Sequence, residues 1–189
     1  HPGGPAQRLH PPAQVGFFLG ALRAKGESVG ELTGAAQTLR RHAAFIDTGA
    51  AWAVDTCGTG GDGADTFNIS TTAAFIAAGA GVVVAKHGNR GVSSRCGSAD
   101  VLAACGFNLD VAPVAMEYAI QTIGIGFLFA QKLHPIMGKV APIRRDLKLR
   151  TIFNMVGPLS NPAGASGQVL GVFAPALVET YAHVLARLG

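Results

Sequence analysis

Apolar residues recur at helical spacing in the first quarter of the chain. Residues 15–25 are largely apolar and are followed by Gly26, a residue that commonly terminates helices. A second stripe has steps of four and three, which places its members on one face of a helix. In order, these residues are Leu32, Ala36, Leu39, Ala43 and Ile46. The pattern predicts two amphipathic helices before residue 50.

After residue 50, short β-branched runs alternate with longer helical segments. The predicted strands are 53–56, 82–85, 126–130 and 168–173, and the predicted helices are 71–80, 99–104, 114–123 and 176–188. Strands that alternate with helices predict a mostly parallel sheet flanked by helices. We therefore expect an α/β protein with a small N-terminal helical subdomain at 1–49 and an α/β domain at 50–189. Residues 1–12 are rich in Pro and Gly, and we expect them to lack fixed structure.

A glycine-rich loop follows the first predicted strand. The segment from Asp55 to Gly63 reads DTCGTGGDG, with four glycines in the six positions from Gly58. Glycine admits positive φ angles, so several backbone N–H groups of such a loop can converge on an anion. The segment 68–72, NISTT, then opens a helix whose N-terminus adds unpaired N–H groups and a positive dipole end. The two segments together predict a site for a phosphate-rich, magnesium-bearing ligand.

Two familiar phosphate motifs do not fit this loop. Residues 58–63 match G-x-G-x-x-G, but no carboxylate lies between Asp65 and Asp100, where a dinucleotide site would place the acid that holds the ribose. Ala64 and Asp65 stand where a Walker P-loop requires Lys followed by Ser or Thr. A surface loop without a ligand is the alternative for the glycine cluster taken alone.

A basic loop follows the second predicted strand. It runs from Lys86 to Asp100 as KHGNRGVSSRCGSAD and contains the cations Lys86, Arg90 and Arg95. Ligands of open α/β sheets bind beyond the carboxyl ends of strands, which is where this loop falls. The alternative is an ordinary solvated loop in which Ser98 caps the helix at 99–104.

Composition narrows the classes of protein. The chain has 189 residues, 49% of them hydrophobic, and its longest apolar run, 73–85, is too short to cross a bilayer. We find no secretory signal sequence, and the three cysteines form no C-x-x-C pair, as is typical of reduced thiols in a cytoplasm. We expect Cys57 to be a packed thiol rather than a nucleophile, because no motif places a base beside it.

The net charge of +4 is concentrated in the segment 131–150. Its cations are Lys132, Lys139, Arg144, Arg145, Lys148 and Arg150, against Asp146 alone. A nucleic-acid surface, a cleft for multiply charged anions and a solvated helix face all fit this pattern. No aromatic residues interleave the cations, as a surface that stacks nucleic-acid bases would require.

Both loops together resemble one family, the anthranilate phosphoribosyltransferases of tryptophan biosynthesis. The matching segments are GTGGD at 58–62, NIST at 68–71, KHGNR at 86–90, GSAD at 97–100, KLHP at 132–135, the arginine pair at 144–145, RTIFN at 150–154 and GPLSNP at 157–162. The resemblance runs from about Phe17 to the C-terminus, and so many motifs in one order are far more specific than any single one. It implies a fold of the nucleoside phosphorylase and phosphoribosyltransferase type, with 131–150 as a helical hinge that carries anthranilate-binding residues.

The resemblance implies transfer of the 5-phosphoribosyl group from phosphoribosyl pyrophosphate (PRPP) to anthranilate, giving N-(5-phosphoribosyl)anthranilate and pyrophosphate. It implies Mg²⁺ as cofactor, with Ser70 as a ligand, and Lys86 as a point charge on phosphate. Asp62 would hold ribose hydroxyls or the waters of the metal. The positions that match PRPP-binding residues of the family are Gly58, Gly61, Asp62, Thr66, Asn68, Ile69, Ser70, Thr71, Lys86, His87, Gly88, Asn89, Arg90, Gly91, Val92, Ser93, Ser94 and Ser98. We expect a cytoplasmic enzyme that binds no nucleic acid or membrane and, at full length, forms a homodimer.

The anthranilate site implied by the resemblance comprises Gly58, His87, Asn89, His134, Arg144 and Pro158. Arg144 suits the carboxylate because a guanidinium can form two parallel hydrogen bonds with it. We expect both histidines to form a hydrogen-bonding wall, and no residue is assigned as an acid or base. Positioning, rather than proton transfer, is expected to supply most of the rate.

The chain also departs from the family pattern. The Asp-Glu pair that binds a second Mg²⁺ in the family would lie beyond Gly189, the Pro/Gly stretch replaces the usual first helix, and Lys148 stands where Gly is common. We therefore expect a fragment with weak or no activity by itself. Three alternatives stay open: a pyrimidine-nucleoside phosphorylase, whose motifs lack KHGNR; a non-enzymatic nucleic-acid-binding relative, which loses both loop signatures; and a non-functional truncated product.

Overall fold

The computed structural model describes residues 10–61, 63, 66–91 and 96–189. Its strands are β1 (Val54–Gly58), β2 (Val84–Gly88), β3 (Ile125–Phe129) and β4 (Gly167–Gly171). Its α-helices are α1 (Pro12–Lys25), α2 (Val29–Arg41), α3 (Ile69–Gly79), α4 (Ser98–Ala104), α5 (Pro113–Ile123), α6 (Ala130–Leu133), α7 (Pro135–Leu147) and α8 (Leu177–Leu188). Two short 3₁₀ turns, Ile152–Asn154 and Gly157–Leu159, precede β4. Among the helices so described, none combines the length and apolar composition needed to cross a membrane.

The four strands form one parallel sheet in the order β3-β2-β1-β4. This confirms the predicted α/β class with a helical N-terminal part and a parallel sheet flanked by helices. Because β1 and β2 are parallel neighbours, their carboxyl ends lie at the same edge of the sheet. The glycine-rich loop and the basic loop therefore leave the sheet side by side.

The N-terminal helices differ from the predicted ones at their ends. α1 begins at Pro12, inside the segment expected to lack fixed structure, because proline is favoured in the first turn of a helix. The rest of that segment, 1–9, lies outside the described residues. α2 begins with a capping box in which Ser28 Oγ accepts from the Glu31 N–H and the Glu31 carboxylate accepts from the Ser28 N–H.

The predicted apolar stripe is wrong beyond Arg41, where α2 ends. Ile46 is fully buried, but it packs against Ile120 and Leu128 beside the sheet instead of continuing the helix. A larger core joins α1 and α2 to the last third of the chain and includes Leu32, Val156, Leu159, Tyr181 and Val184. Side chains from both sides of the predicted boundary at residue 50 share this core, and the boundary itself stays a prediction.

The end of α7 offers a test of backbone strain. Lys148 has φ +50°, in the left-handed region where non-glycine residues lose roughly 1 kcal/mol or more. We expect Lys148→Gly to raise the free energy of unfolding by about 1 kcal/mol relative to Lys148→Ala, which also removes the charge but keeps the Cβ atom. Urea denaturation of the two variants measures this difference, and equal midpoints would contradict it.

Candidate active site

The segments that follow β1 and β2 are linked near the starts of the helices α3 and α4. Asn68, at the start of α3, donates from Nδ2 to the Cys96 carbonyl at the end of the basic loop (3.4 Å). Its Oδ1 accepts a hydrogen bond from Thr71 Oγ1 (2.7 Å), which fixes the orientation of the amide. The structure thus brings together two segments that the sequence predicts to share one ligand.

The seam between the two central strands is unusual. Backbone pairing of β1 with β2 is limited to Val54 and Val84, whereas both other strand pairs extend over five residue pairs. Side chains satisfy polar backbone groups beyond that point. The contacts are the His87 N–H to Asp55 Oδ1 (3.0 Å), Asn161 Nδ2 to the Ala85 carbonyl (2.8 Å) and Lys86 Nζ to the Thr56 carbonyl. The side chains of Asp55 and Lys86 therefore link the carboxyl ends of β1 and β2.

Lys86 lies at the centre of this seam. Only 3% of its surface is exposed, and Nζ also donates to Ser70 Oγ of α3 (3.2 Å). Burial lowers the pKa of Lys86, and the nearby carboxylate of Asp55 opposes that effect. An ammonium group has three donors, and the described residues accept from two of them, so the third can serve a ligand at this edge.

Asp100 closes the basic loop at its base. One carboxylate oxygen accepts from the N–H groups of Gly91 and Gly97, both at 2.8 Å, and the other accepts from Arg90 Nη1 (3.0 Å). These bonds, chiefly those from Gly91 and Gly97, lower the pKa of Asp100. The sequence motifs assign no role to this carboxylate, although an acid in the first turn of a short helix is a recognisable capping signal.

The predicted cap of α4 is wrong by one residue. Gly97 occupies the N-cap position and Ser98 is the first helical residue. Ser98 Oγ instead donates to the Asn89 carbonyl across the loop (3.3 Å). The carboxylate of Asp100 takes the capping role because it lies one turn into the helix and faces the free N–H groups.

We expect Asp100→Asn to lower the free energy of unfolding by about 1–3 kcal/mol at pH 7, because an amide cannot accept the same charge-assisted bonds. A carboxyl whose folded-state pKa is depressed contributes stability above its unfolded value, near 3.9, and loses it as pH falls through the folded pKa. The difference between wild type and variant should therefore shrink in urea titrations below about pH 4. The exposed Asp110→Asn is the control, and a difference independent of pH would refute this account.

Two buried histidines lie beside the seam. His87 Nε2 and His134 Nε2 are 3.2 Å apart, and 5% and 4% of their surfaces are exposed. Burial lowers the pKa of both rings, and for His87 the neighbouring His134 adds to the effect. Both are neutral near pH 7, so one ring donates and the other accepts. Such a pair can present hydrogen-bonding groups but does not store a proton.

Arg144 lies in the last turn of α7, half-buried, with its guanidinium carbon 5.6 Å from the centre of the Phe153 ring. Burial lowers the pKa of Arg144. Within the described part of the chain, no carboxylate forms an ion pair with it. Its neighbour Arg145 is exposed. Arg144 therefore has a charge available for an anion and an aromatic ring beside its guanidinium group.

A second arginine anchors the glycine-rich loop. Arg150 Nη2 donates to the Gly61 carbonyl (2.8 Å), and its guanidinium carbon lies 3.9 Å from the centre of the Phe173 ring. Thr59 completes the anchor, since its N–H donates to the Gly171 carbonyl and its Oγ1 accepts from the Phe173 N–H, both at 2.9 Å. The sequence motif contains Arg150, but this role depends on a contact across 89 positions and could not be predicted locally.

The remaining predicted site residues fall into three groups. Those at the sheet edge or the starts of α3 and α4 are Gly58, Thr66, Ile69, Gly88, Asn89, Arg90 and Gly91. Pro158 lies in the turn Gly157–Leu159, and its carbonyl accepts from Gln168 Nε2 (2.7 Å). Those outside the described residues are Asp62, Val92, Ser93 and Ser94. Cys57 is buried, and burial raises the pKa of its thiol, as the prediction of a packed thiol requires.

The described residues contain no cluster of three or more His, Cys, Asp or Glu side chains that could hold a metal ion. The half-buried Ser70 hydroxyl can offer its oxygen as a metal ligand, and it lies beside the Lys86 ammonium. Mg²⁺ retains several waters and is commonly held through phosphate oxygens and few protein ligands. The Ser70 oxygen at this edge fits a metal ion that binds together with a phosphorylated ligand.

Two family models match the chain. The glycosyl transferase family a/b domain matches residues 50–189, and the glycosyl transferase family helical bundle domain matches residues 7–43. Among curated proteins, the anthranilate phosphoribosyltransferase of Anaeromyxobacter sp. (strain Fw109-5) is 62% identical over 178 residues, which are 94% of this chain and 53% of that protein. The chain thus spans about half the length of the curated relatives it matches.

Solved structures agree with this similarity. Anthranilate phosphoribosyltransferase from Thermus thermophilus superposes with a TM-score of 0.90 at 47% identity, covering 95% of this chain and 55% of the other. The Saccharomyces cerevisiae enzyme in complex with PRPP and Mg has a TM-score of 0.83 at 32% identity, covering 94% of this chain and 50% of the other. The yeast enzyme in complex with 4-fluoroanthranilate has a TM-score of 0.81 at 32% identity, with coverages of 94% and 48%.

Proposed function

We propose, since this chain belongs to the glycosyl transferase family, that it forms the substrate-binding part of an anthranilate phosphoribosyltransferase. The proposed substrates are PRPP and anthranilate. The yeast relative has been solved in complex with PRPP and Mg, and separately with the anthranilate analogue 4-fluoroanthranilate. Buried Lys86 supports the proposal most directly, because it lies in β2 at the start of the basic loop and contacts both β1 and α3, which flank the glycine-rich loop. An uncompensated donor at that point suits a multiply charged phosphate.

The reaction breaks the bond between the anomeric carbon of the ribose and the pyrophosphate oxygen. The bonding electrons leave with pyrophosphate while the sugar becomes cation-like, so the main task is to stabilise the departing polyanion. Lys86 Nζ supplies a fixed positive charge, and the backbone N–H groups of the glycine-rich loop supply oriented dipoles. When bound, Mg²⁺ would neutralise further pyrophosphate charge, held by Ser70 Oγ together with waters and phosphate oxygens.

The acceptor is a planar ring with a carboxylate and a weakly basic amine. Its nitrogen lone pair forms the new bond to the anomeric carbon, and the amine proton is released afterwards. Arg144 would hold the carboxylate through two parallel hydrogen bonds, while His87, His134 and Pro158 form the wall of the site. Because burial depresses the pKa of both histidines, they are weak bases, and these residues orient the ring rather than remove its proton. A cytoplasmic location, homodimer formation and the absence of a nucleic-acid partner remain predictions.

Titration calorimetry of this chain with PRPP, with and without Mg²⁺, tests the donor site. We expect binding heat that depends on Mg²⁺. Cleavage of thymidine in the presence of phosphate would favour a nucleoside phosphorylase instead. Salt-dependent binding to DNA without affinity for PRPP would favour a nucleic-acid-binding relative.

Arg144 and Arg145 provide a matched pair for the acceptor site. We expect Arg144→Met to weaken anthranilate binding about tenfold or more, because a charge-assisted bidentate contact is lost, and to leave PRPP affinity within about twofold. Arg145→Met removes the same charge from an exposed neighbour and should change neither affinity. Calorimetry with each substrate separates the two variants, and equal losses in both would contradict the assignment.

A further inference from the structure

The turn Gly157–Leu159, which we call the Pro158 turn, is held in an unusual way. Each of its three consecutive carbonyl groups accepts a hydrogen bond from a different side chain. The donors are Ser160 Oγ to Gly157 (2.8 Å), Gln168 Nε2 to Pro158 (2.7 Å) and Arg40 Nε to Leu159 (2.7 Å). Ser160 belongs to the local chain, but Gln168 comes from β4 and Arg40 from α2. The turn is thus clamped from two separate elements.

Gln168 is itself fixed by a buried carboxylate. Its Nε2 donates to Asp55 Oδ2 (3.1 Å) as well as to the Pro158 carbonyl, and Cys57 Sγ lies 3.2 Å from the same nitrogen. Asp55 is fully buried, and its other oxygen accepts from the His87 N–H (3.0 Å). A continuous chain of hydrogen bonds therefore runs from the Pro158 turn through β4 and β1 to His87. Its two ends are both residues that the proposed function places in the acceptor site.

We propose that Gln168 and Arg40 are positioning residues that hold the Pro158 turn as a rigid wall of the acceptor site. The inference rests on the proposed function. It gives two residues outside the predicted acceptor site a role in shaping that site. A flat aromatic acceptor has few groups through which it can be oriented, so the spacing of its walls decides how well it is placed. Gln168 sets that spacing from the sheet, and Arg40 sets it from the helical part.

Amide hydrogen exchange tests the clamp without any ligand. We expect Arg40→Met and Gln168→Met each to accelerate exchange of the Leu159 and Ser160 amides about tenfold or more, because the turn then opens locally. The amide of Gly124, at the end of α5, should not change. The exposed Arg41→Met and Gln121→Met are matched controls. Unchanged exchange in Arg40→Met would overturn the inference even if Gln168→Met fails to fold.

Calorimetry then tests what the clamp does. We expect both clamp variants to weaken anthranilate binding about tenfold while PRPP affinity stays within about twofold, a split that a general loss of stability does not produce. Faster exchange with unchanged anthranilate affinity would overturn the positioning role. A wild-type chain that binds no anthranilate would defeat the acceptor half of the proposed function, and this inference with it. If the wild type binds anthranilate and both clamp variants bind it equally well, only the inference is defeated.

Discussion

Lys86→Met is expected to weaken PRPP binding by about 100-fold or more. The substitution removes a charge-assisted bond to phosphate, and the methionine has a similar length, so the seam stays filled. It also leaves the Thr56 carbonyl without the donor that it has in wild type, so a loss of about 1–3 kcal/mol in stability should accompany the loss of affinity. Titration calorimetry with PRPP and Mg²⁺ measures the first effect, and urea denaturation measures the second.

Lys139→Met is the control for the charge itself. Lys139 is exposed on α7, so its removal should leave PRPP affinity and stability nearly unchanged. If Lys86→Met keeps its near-ultraviolet circular dichroism and binds PRPP within threefold of wild type, Lys86 does not contact phosphate. The donor site would then have to be placed elsewhere.

Gly97→Ala should have the largest effect on the fold of the site. A Cβ atom at this position would overlap backbone atoms of residues 89–91 in the same loop. It would lie 2.6 Å from the Asn89 carbonyl oxygen and closer still to Arg90 and Gly91. Backbone cannot rotate away as a side chain can, so we expect a loss of about 3 kcal/mol in the free energy of unfolding. We also expect PRPP binding to disappear, because the hydrogen bonds to Asp100 cannot survive the displacement.

The steric origin of this effect can be separated from the conformational freedom of glycine. Gly97 has φ −90°, a value that alanine adopts without strain. Gly34→Ala is the comparison, because Gly34 lies within α2 and a Cβ atom there meets nothing within 4 Å. Alanine should stabilise that helix by about 0.5–1 kcal/mol. Similar stabilities of the two variants in thermal denaturation would show that the basic loop is not packed as described.

Local patterns predicted the four strands and the place of the two loops, although β2 begins two residues later than predicted and extends to Gly88, three residues into the segment expected to be a loop. Strand β1 and the glycines after it lie within nine positions of each other, and the parallel sheet then determines that both loops share an edge. The length of α2 could not be predicted in the same way. Ile46 continues the helical spacing of Leu32 and Leu39, but its burial is supplied by Ile120 and Leu128, which periodicity along the chain does not detect.

For a similar reason, the contacts that support the site could not be predicted from the sequence. Asp55 and Gln168 meet across 113 positions, and Arg40 and Leu159 across 119. Neither pair belongs to a motif whose spacing implies contact, so only the folded chain brings them together. The roles predicted for Asp62, Val92, Ser93 and Ser94 stay predictions, because these residues lie outside the described part of the structure.

The stitched seam between β1 and β2 has a consequence for how such proteins can diversify. Where strands pair through their backbones, every sequence gives nearly the same spacing, about 4.8 Å. Where Asp55 and Lys86 bridge the strands, the distance between the strand ends depends on the lengths of those side chains. Single substitutions at these positions can therefore change the distance between the carboxyl ends of β1 and β2. Ligands of another size could then fit there while the topology stays the same.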